Sequence, residues 1–144
     1  MSNKIRNLAL GVIQRPDGSL LLGKGYDKIK DETFYRPMGG GIEFGETGSE
    51  ALIRELKEEI DKEIIINNHI GTVENIFEFN GDPGHQIIFI YTCQFTNNND
   101  YKVDNISRID GQTDPIVWIS LKEIEIESSF LYPDGLKDLL KSNH

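Results

Sequence analysis

Three glutamates, Glu55, Glu58 and Glu59, fall within the stretch Arg54-Glu55-Leu56-Lys57-Glu58-Glu59. On a helix, positions i, i+3 and i+4 share one face, where like charges repel. Two readings fit. One is a solvated acidic face, with Glu50–Arg54 and Glu58–Lys62 as ordinary i,i+4 ion pairs of a few tenths of a kcal/mol, about 0.3 each. The other is a metal site, because carboxylates one turn apart supply the oxygen ligands that hard cations take, and the ion removes the repulsion. No His or Cys lies nearby, so Mg²⁺ or Mn²⁺ suits such a site better than Zn²⁺ or Cu²⁺. Residues 43–63 hold eight acids and three bases, over half of the chain's net charge of −9.

The element that must carry these groups is a helix over residues 48–60. Thr47 and Glu50 have the spacing of a capping box, each side chain satisfying an amide at the other's position. Leu52, Leu56 and Ile60, with Ala51 beside them, form the stripe to be buried, and the glutamates fall largely on other faces. The run Gly39-Gly40-Gly41 just upstream marks backbone that turns sharply or is approached closely. Further upstream, residues 8–14 read as a strand, 15–18 as a turn and 19–22 as the return strand of a hairpin. Residues 23–33 read as a mobile loop, and Phe34-Tyr35-Arg36 as extended, since Pro37 disfavours a helical Arg36. Downstream, residues 63–66 and 71–79 read as strands around a turn at Asn67-Asn68, followed by a turn at 80–84. Residues 86–95 read as a central strand, 96–113 as a long polar loop and 116–119 as a short strand. Ser120 with Glu123 caps a brief helix, and 134–141 forms a terminal one. The class is α+β, a mixed sheet with helices packed on it.

The chain has 144 residues, 38% hydrophobic and 27% charged, which fits a single domain over residues 1–144. Its net charge of −9 argues against a nonspecific nucleic-acid polymer or an anionic membrane as partner, since both need a basic face. Phosphate-bearing substrates remain open, because a bound divalent cation reverses the local field. Cys93 is the only cysteine, which suits a reducing cytoplasm, and its apolar neighbours predict a buried thiol. The apolar run near the N-terminus is too short to span a bilayer and carries no signal-peptide pattern. His69 and His85 lack metal-ligand spacing and are expected on the surface or in caps. His144 is terminal.

The full spacing is Gly40, five residues, Glu46, seven residues, then Arg54-Glu55-Leu56-Lys57-Glu58-Glu59. This resembles the signature box of the Nudix hydrolases, enzymes that cleave a nucleoside diphosphate linked to another group. The resemblance implies a Nudix-type α/β/α sandwich with a mixed sheet and a loop–helix–loop catalytic unit. It implies Mg²⁺- or Mn²⁺-dependent hydrolysis of a diphosphate bond by metal-activated water. It further implies that Glu55, Glu58 and Glu59 hold the metals, one of them serving as base, with the Gly40 carbonyl as a further ligand. Arg54 would orient the glutamates and Glu46 would brace the loop. The lead-in from Tyr35 to Glu43 and the segment from Val117 to Glu123 look like the corresponding parts of many members. Two positions depart from the pattern: Asp61 and Lys62 stand where the family has Gly and an apolar residue. Asp tolerates the left-handed conformation that this Gly adopts, and Ile64 can replace the apolar contact.

Members often recruit a further acid from a late loop. Asp110 is the best-placed candidate metal ligand here and Asp114 the second, with a solvated loop acid as the alternative. On the substrate side, Arg36 suits a phosphate, Gly39 and Gly41 lie beside it, and Phe34, Tyr35 or Phe79 could stack on a base or be structural. The resemblance leaves the substrate open among nucleoside triphosphates, ADP-ribose, nucleotide sugars and dinucleoside polyphosphates. A Nudix-fold sensor that binds a nucleotide without turnover is the alternative. Relatives are commonly homodimers, but no apolar stripe in this sequence marks an interface.

Overall fold

The computed structural model describes residues 3–142. In chain order it holds β1 (Ile5–Val12), β2 (Leu20–Asp27), β3 (Glu32–Gly41), α1 (Gly48–Ile60), β4 (Ile64–Phe79) and β5 (Asp82–Phe95). A short 3₁₀ turn at Asn98–Lys102 follows, then β6 (Ile116–Ile119), α2 (Leu121–Ile126), β7 (Phe130–Leu131) and α3 (Leu136–Ser142). The strands form one mixed sheet in the order β4-β5-β1-β3-β2-β6, with β7 beside β3. β1 runs parallel to β5 and β7 parallel to β3, while the other pairings are antiparallel.

Alternation along β1 shows the layers. Ala9 and Ile13 enter a core with Leu52, Leu56 and Ile60 of α1, whereas Leu8, Leu10 and Val12 enter a second core with Ile124, Leu136 and Leu140 of α2 and α3. Helices therefore cover both faces of an α+β sandwich. Burying Leu52 and Leu56 contributes about 2 kcal/mol each relative to exposure, and this fixes which face of α1 the glutamates present.

The predicted cap of α1 is present. Thr47 accepts from the Glu50 amide, and the Glu50 side chain accepts from the Thr47 amide. The helix ends at Asp61 in the left-handed conformation, φ 55° and ψ 44°, with Lys57 paired to the Asp61 carboxylate at 3.1 Å. Lys62 turns outward to Asp100 at 3.1 Å, and Ile64 is buried at the place expected of it. Ser120 and Glu123 form the second capping box.

Three expectations change. Residues 8–22 do not form a hairpin ladder: β1 and β2 both pair with β3, and meet each other only around the Gln14–Leu20 bridge. Of residues 23–33 only the turn at 28–31 is loop, because β2 runs on to Asp27 paired with β3 and β3 already begins at Glu32. The turn expected at Asn67-Asn68 is a bulge within a continuous β4, which shifts register twice to stay paired with β5. Of the turn expected at 80–84, Asn80-Gly81 form it, both at positive φ, whereas Asp82 to Gly84 already pair with β4 as part of β5.

The tips of the β2–β3 and β4–β5 hairpins are tied together. Buried Asp27 accepts from the amides of Ile29, Lys30 and Asn80, and the Asn80 side chain accepts from Lys28 N. No described helix is long and apolar enough to cross a membrane. His144 lies outside the described residues.

Candidate active site

The glycine run closes β3 directly against α1. Gly39 has φ +140°, and a Cβ there would sit 2.0 Å from the Ala9 carbonyl oxygen. At Gly40 a Cβ would come within 2.6 Å of the Glu55 carboxyl group, so the missing side chain lets that carboxylate rest on the backbone. The Gly39 amide donates to Glu59 Oε1 at 3.1 Å.

Arg54 organises the rest. Its Nε and Nη2 donate to the two oxygens of Glu46 at 2.7 and 2.9 Å, a bidentate pair. Nη2 also reaches the Gly41 carbonyl at 2.9 Å, while Nη1 donates to Glu55 at 2.9 Å and Glu58 at 3.3 Å. Glu46 in turn accepts from the Glu43 amide at 2.9 Å. The Arg54 guanidinium holds the Glu46 carboxyl well below the ordinary range, at about 2, and Arg54 itself is pushed upward by Glu46. Arg54 thus joins the loop, the end of β3 and two of the three glutamates in one network.

Glu59 differs from its neighbours. It is 7% exposed, and burial, reinforced by the Glu55 charge, pushes its carboxyl up to about 7 against the pull of Arg108 and Arg36. The folded protein therefore favours protonated Glu59 more than the unfolded chain does. In metal-free buffer its contribution is most favourable below the ordinary value of 4.5 and is lost as pH rises through about 7. Glu59→Gln is expected to flatten that fall, melting at a higher temperature than wild type at pH 8 in EDTA and converging with it near pH 5. Parallel melting curves across this range would contradict the assignment.

The long loop reaches this group. The Ile109 amide donates to the Glu59 carbonyl at 2.8 Å, and Arg108 Nη2 lies 3.4 Å from Glu59 Oε2. Asp110 clasps Arg108 with both oxygens, at 3.2 and 2.9 Å, and Arg108 holds the Asp110 carboxyl below its usual range. Asp110 is thus near the glutamates but turned onto Arg108, whereas Asp114 is exposed. The sequence reading passed over Arg108, although its place two residues before Asp110 was a usable signal.

The other candidates separate. The Arg36 guanidinium faces Glu59, Arg108, Arg6 and Asp114, and burial lowers its pKa. Gly39 and Gly41 give their polar groups to Glu59 and Arg54. Tyr35 is buried on the opposite face, where its hydroxyl donates to Glu127 at 2.9 Å. Phe34 packs against Phe79 and Tyr132 at 5.7 and 5.3 Å between ring centres. His69 bonds Thr72 and His85 pairs with Glu74, both apart from the glutamates. Cys93 is buried, and burial pushes its thiol up to about 12.

Among the described residues, no three His, Cys, Asp or Glu side chains are already gathered at metal-binding spacing. Glu55 and Glu58 lean on Arg54, and Glu59 on Arg108. The donor chemistry nonetheless fits a hard cation. Glu55 lies against the bare Gly40 backbone, Glu58 is open to solvent, Glu59 is tethered behind them, and every donor is oxygen.

A family model, the NUDIX domain, matches residues 4–139. The chain belongs to the Nudix family. Nudix hydrolases generally cleave nucleoside diphosphate-linked small molecules and generally use divalent metal ions, and the box read from the sequence lies within the matched Nudix span. Among solved structures, the Nudix hydrolase from Nitrosomonas europaea is 18% identical, covering 96% of this chain and 87% of its own, with a TM-score of 0.65. The MutT protein from Methanosarcina mazei Go1 is 17% identical, covering 99% and 94%, with a TM-score of 0.62. The E. coli ORF135 protein is 23% identical, covering 96% and 88%, with a TM-score of 0.59. At these identities the likeness shows the Nudix fold alone. A comparison with curated proteins gives no match.

Proposed function

We propose that this Nudix protein is a Mg²⁺- or Mn²⁺-dependent pyrophosphohydrolase, a single cytoplasmic domain that cleaves a diphosphate bond in a nucleotide-derived small molecule. The observation that carries the reading is the Arg54 network. One guanidinium joins Glu46, Glu55, Glu58 and the Gly41 carbonyl, so side chains from a loop, a strand end and a helix are set together.

Glu55, Glu58, Glu59 and the Gly40 carbonyl would hold the divalent ions, with Asp110 within the same neighbourhood. Bound there, such ions would neutralise phosphate oxygens and lower the pKa of a water so that it can give up its proton before attack on phosphorus. The protein's own groups have distinct tasks. Glu46, held at about 2, stays ionised and anchors Arg54; it cannot exchange protons near neutrality. Arg54 fixes Glu55 and Glu58 relative to the glycine backbone. Glu58, the more exposed of the two, is the carboxylate most open to solvent water. Arg36 supplies fixed positive charge for a substrate phosphate.

The test is a substrate panel with millimolar Mg²⁺ or Mn²⁺, scored for released phosphate, pyrophosphate and nucleoside monophosphate. The panel holds nucleoside triphosphates, ADP-ribose, nucleotide sugars and dinucleoside polyphosphates. Metal-dependent turnover is expected, falling on the order of 10²-fold in Glu58→Gln. Tight and equal binding of one compound by both forms, without turnover, would replace the hydrolase by a nucleotide sensor.

A further inference from the structure

Arg36 stands in the site with no direct partner for its charge among the described residues. It lies on the α1 face of β3, two residues before Met38 of the same core and three before Gly39, which holds Glu59. Protein surrounds it, yet it keeps some exposure to solvent. Among the described residues its guanidinium makes no hydrogen bond and no ion pair within 4.0 Å. The nearby carboxylate that acts on it most strongly, Glu59, is already taken by the Gly39 amide and Arg108. Arg108 is held facing the same carboxylate by Asp110. A desolvated guanidinium without a hydrogen-bonding partner is unfavourable, and a doubly charged phosphate oxyanion, two of whose oxygens can accept the parallel N–H donors of the planar guanidinium, is a ligand that relieves it.

We infer that Arg36, with Arg108 beside it, seats the terminal phosphate of the substrate, so that the preferred substrates carry an uncapped phosphate beyond the bond that is cleaved. Nucleoside triphosphates have such a group. ADP-ribose, nucleotide sugars and dinucleoside polyphosphates end in a sugar or a nucleoside, which offers the two arginines no dianion. The inference rests on the hydrolase reading above and adds the substrate class.

The experiment measures kcat and KM for a nucleoside triphosphate, ADP-ribose and a dinucleoside tetraphosphate on wild type, Arg36→Met, Arg36→Lys and Arg108→Met. Melting temperatures with and without inorganic triphosphate in EDTA are recorded alongside. Wild-type kcat/KM is expected to be at least about tenfold higher for the triphosphate than for either capped substrate, the worth of one charge-assisted pair. Arg36→Met is expected to lose roughly 10- to 100-fold on the triphosphate, mostly in KM, with partial recovery in Arg36→Lys. Inorganic triphosphate is expected to raise the melting temperature of wild type more than that of Arg36→Met or Arg108→Met. Preference for a capped substrate would overturn this inference while leaving the hydrolase intact; no turnover of any compound would overturn the hydrolase itself. Equal losses on all three substrates, with unchanged response to inorganic triphosphate, would make Arg36 structural and also overturn it.

Discussion

Replacing Arg54 by methionine is expected to cost more activity than losing any one glutamate it holds. Five acceptor oxygens meet its guanidinium: both of Glu46, the Gly41 carbonyl, and one each from the Glu55 and Glu58 carboxylates. Without it, three like charges repel across the mouth of the glycine loop, and Glu46 has no reason to stay against the helix. A shift of about 1 Å in a catalytic group can cost 10²-fold. Displacing several together sets the expectation near 10³-fold in kcat/KM, with stability falling by roughly 1–3 kcal/mol. Lysine should not rescue it, because an ammonium cannot bridge two Glu46 oxygens and a carbonyl at once. Steady-state kinetics and melting curves on both variants check this. Activity within tenfold of wild type in Arg54→Met would sink the idea that Arg54 organises the site.

Gly39→Ala is expected to be the most damaging small change for folding. The new methyl group would lie 2.0 Å from a backbone oxygen in a neighbouring strand, at φ +140°, where L-residues are strained. Strain and overpacking together should cost about 3–5 kcal/mol, a large share of the roughly 5–15 kcal/mol that holds a domain together. Gly45 provides the control. Its φ of +92° is also positive, but nothing lies within 4 Å of an added Cβ. Gly45→Ala should therefore cost about 1 kcal/mol. Urea midpoints of the two variants compare steric contact with conformation alone; equal midpoints would show that the contact at Gly39 relaxes freely.

The parts of the fold that could be read from the sequence are those set by local chemistry. Thr47 with Glu50, Ser120 with Glu123 and the left-handed Asp61 are short-range rules, and each is present. The pairing of β1 and β2 with β3 is a long-range outcome that no turn signal encodes. Gly23, Lys24 and Gly25 lack strand propensity, yet they are strand because β3 pairs with all three and β6 also pairs with Gly23. In the candidate site, the spacing of the box points to Glu46, Arg54, Glu55 and Glu58, and the structure joins the four through the Arg54 guanidinium. Glu59 was read as lying away from the buried stripe but is buried, seven residues after Leu52 and three after Leu56. That spacing already put it beside the stripe. Arg108 arrives from a loop whose path depends on the Ile109–Glu59 backbone bond, which no local pattern reveals.

The Asp27 tie between the two hairpin tips has a mechanical consequence. β3 carries Phe34 and Arg36 on one side and β4 ends in Phe79 on the other, and the tie makes these two walls a closed hoop. Widening the hoop means breaking the bonds that cross it: Asn80 N to Asp27, Lys28 N to Asn80, and the Lys30 ammonium to the Glu78 carbonyl. The segment of residues 96–113 meets α1 through two bonds, those of Arg108 and Ile109 to Glu59. The hairpin rim therefore keeps its circumference only as long as these crossing bonds hold.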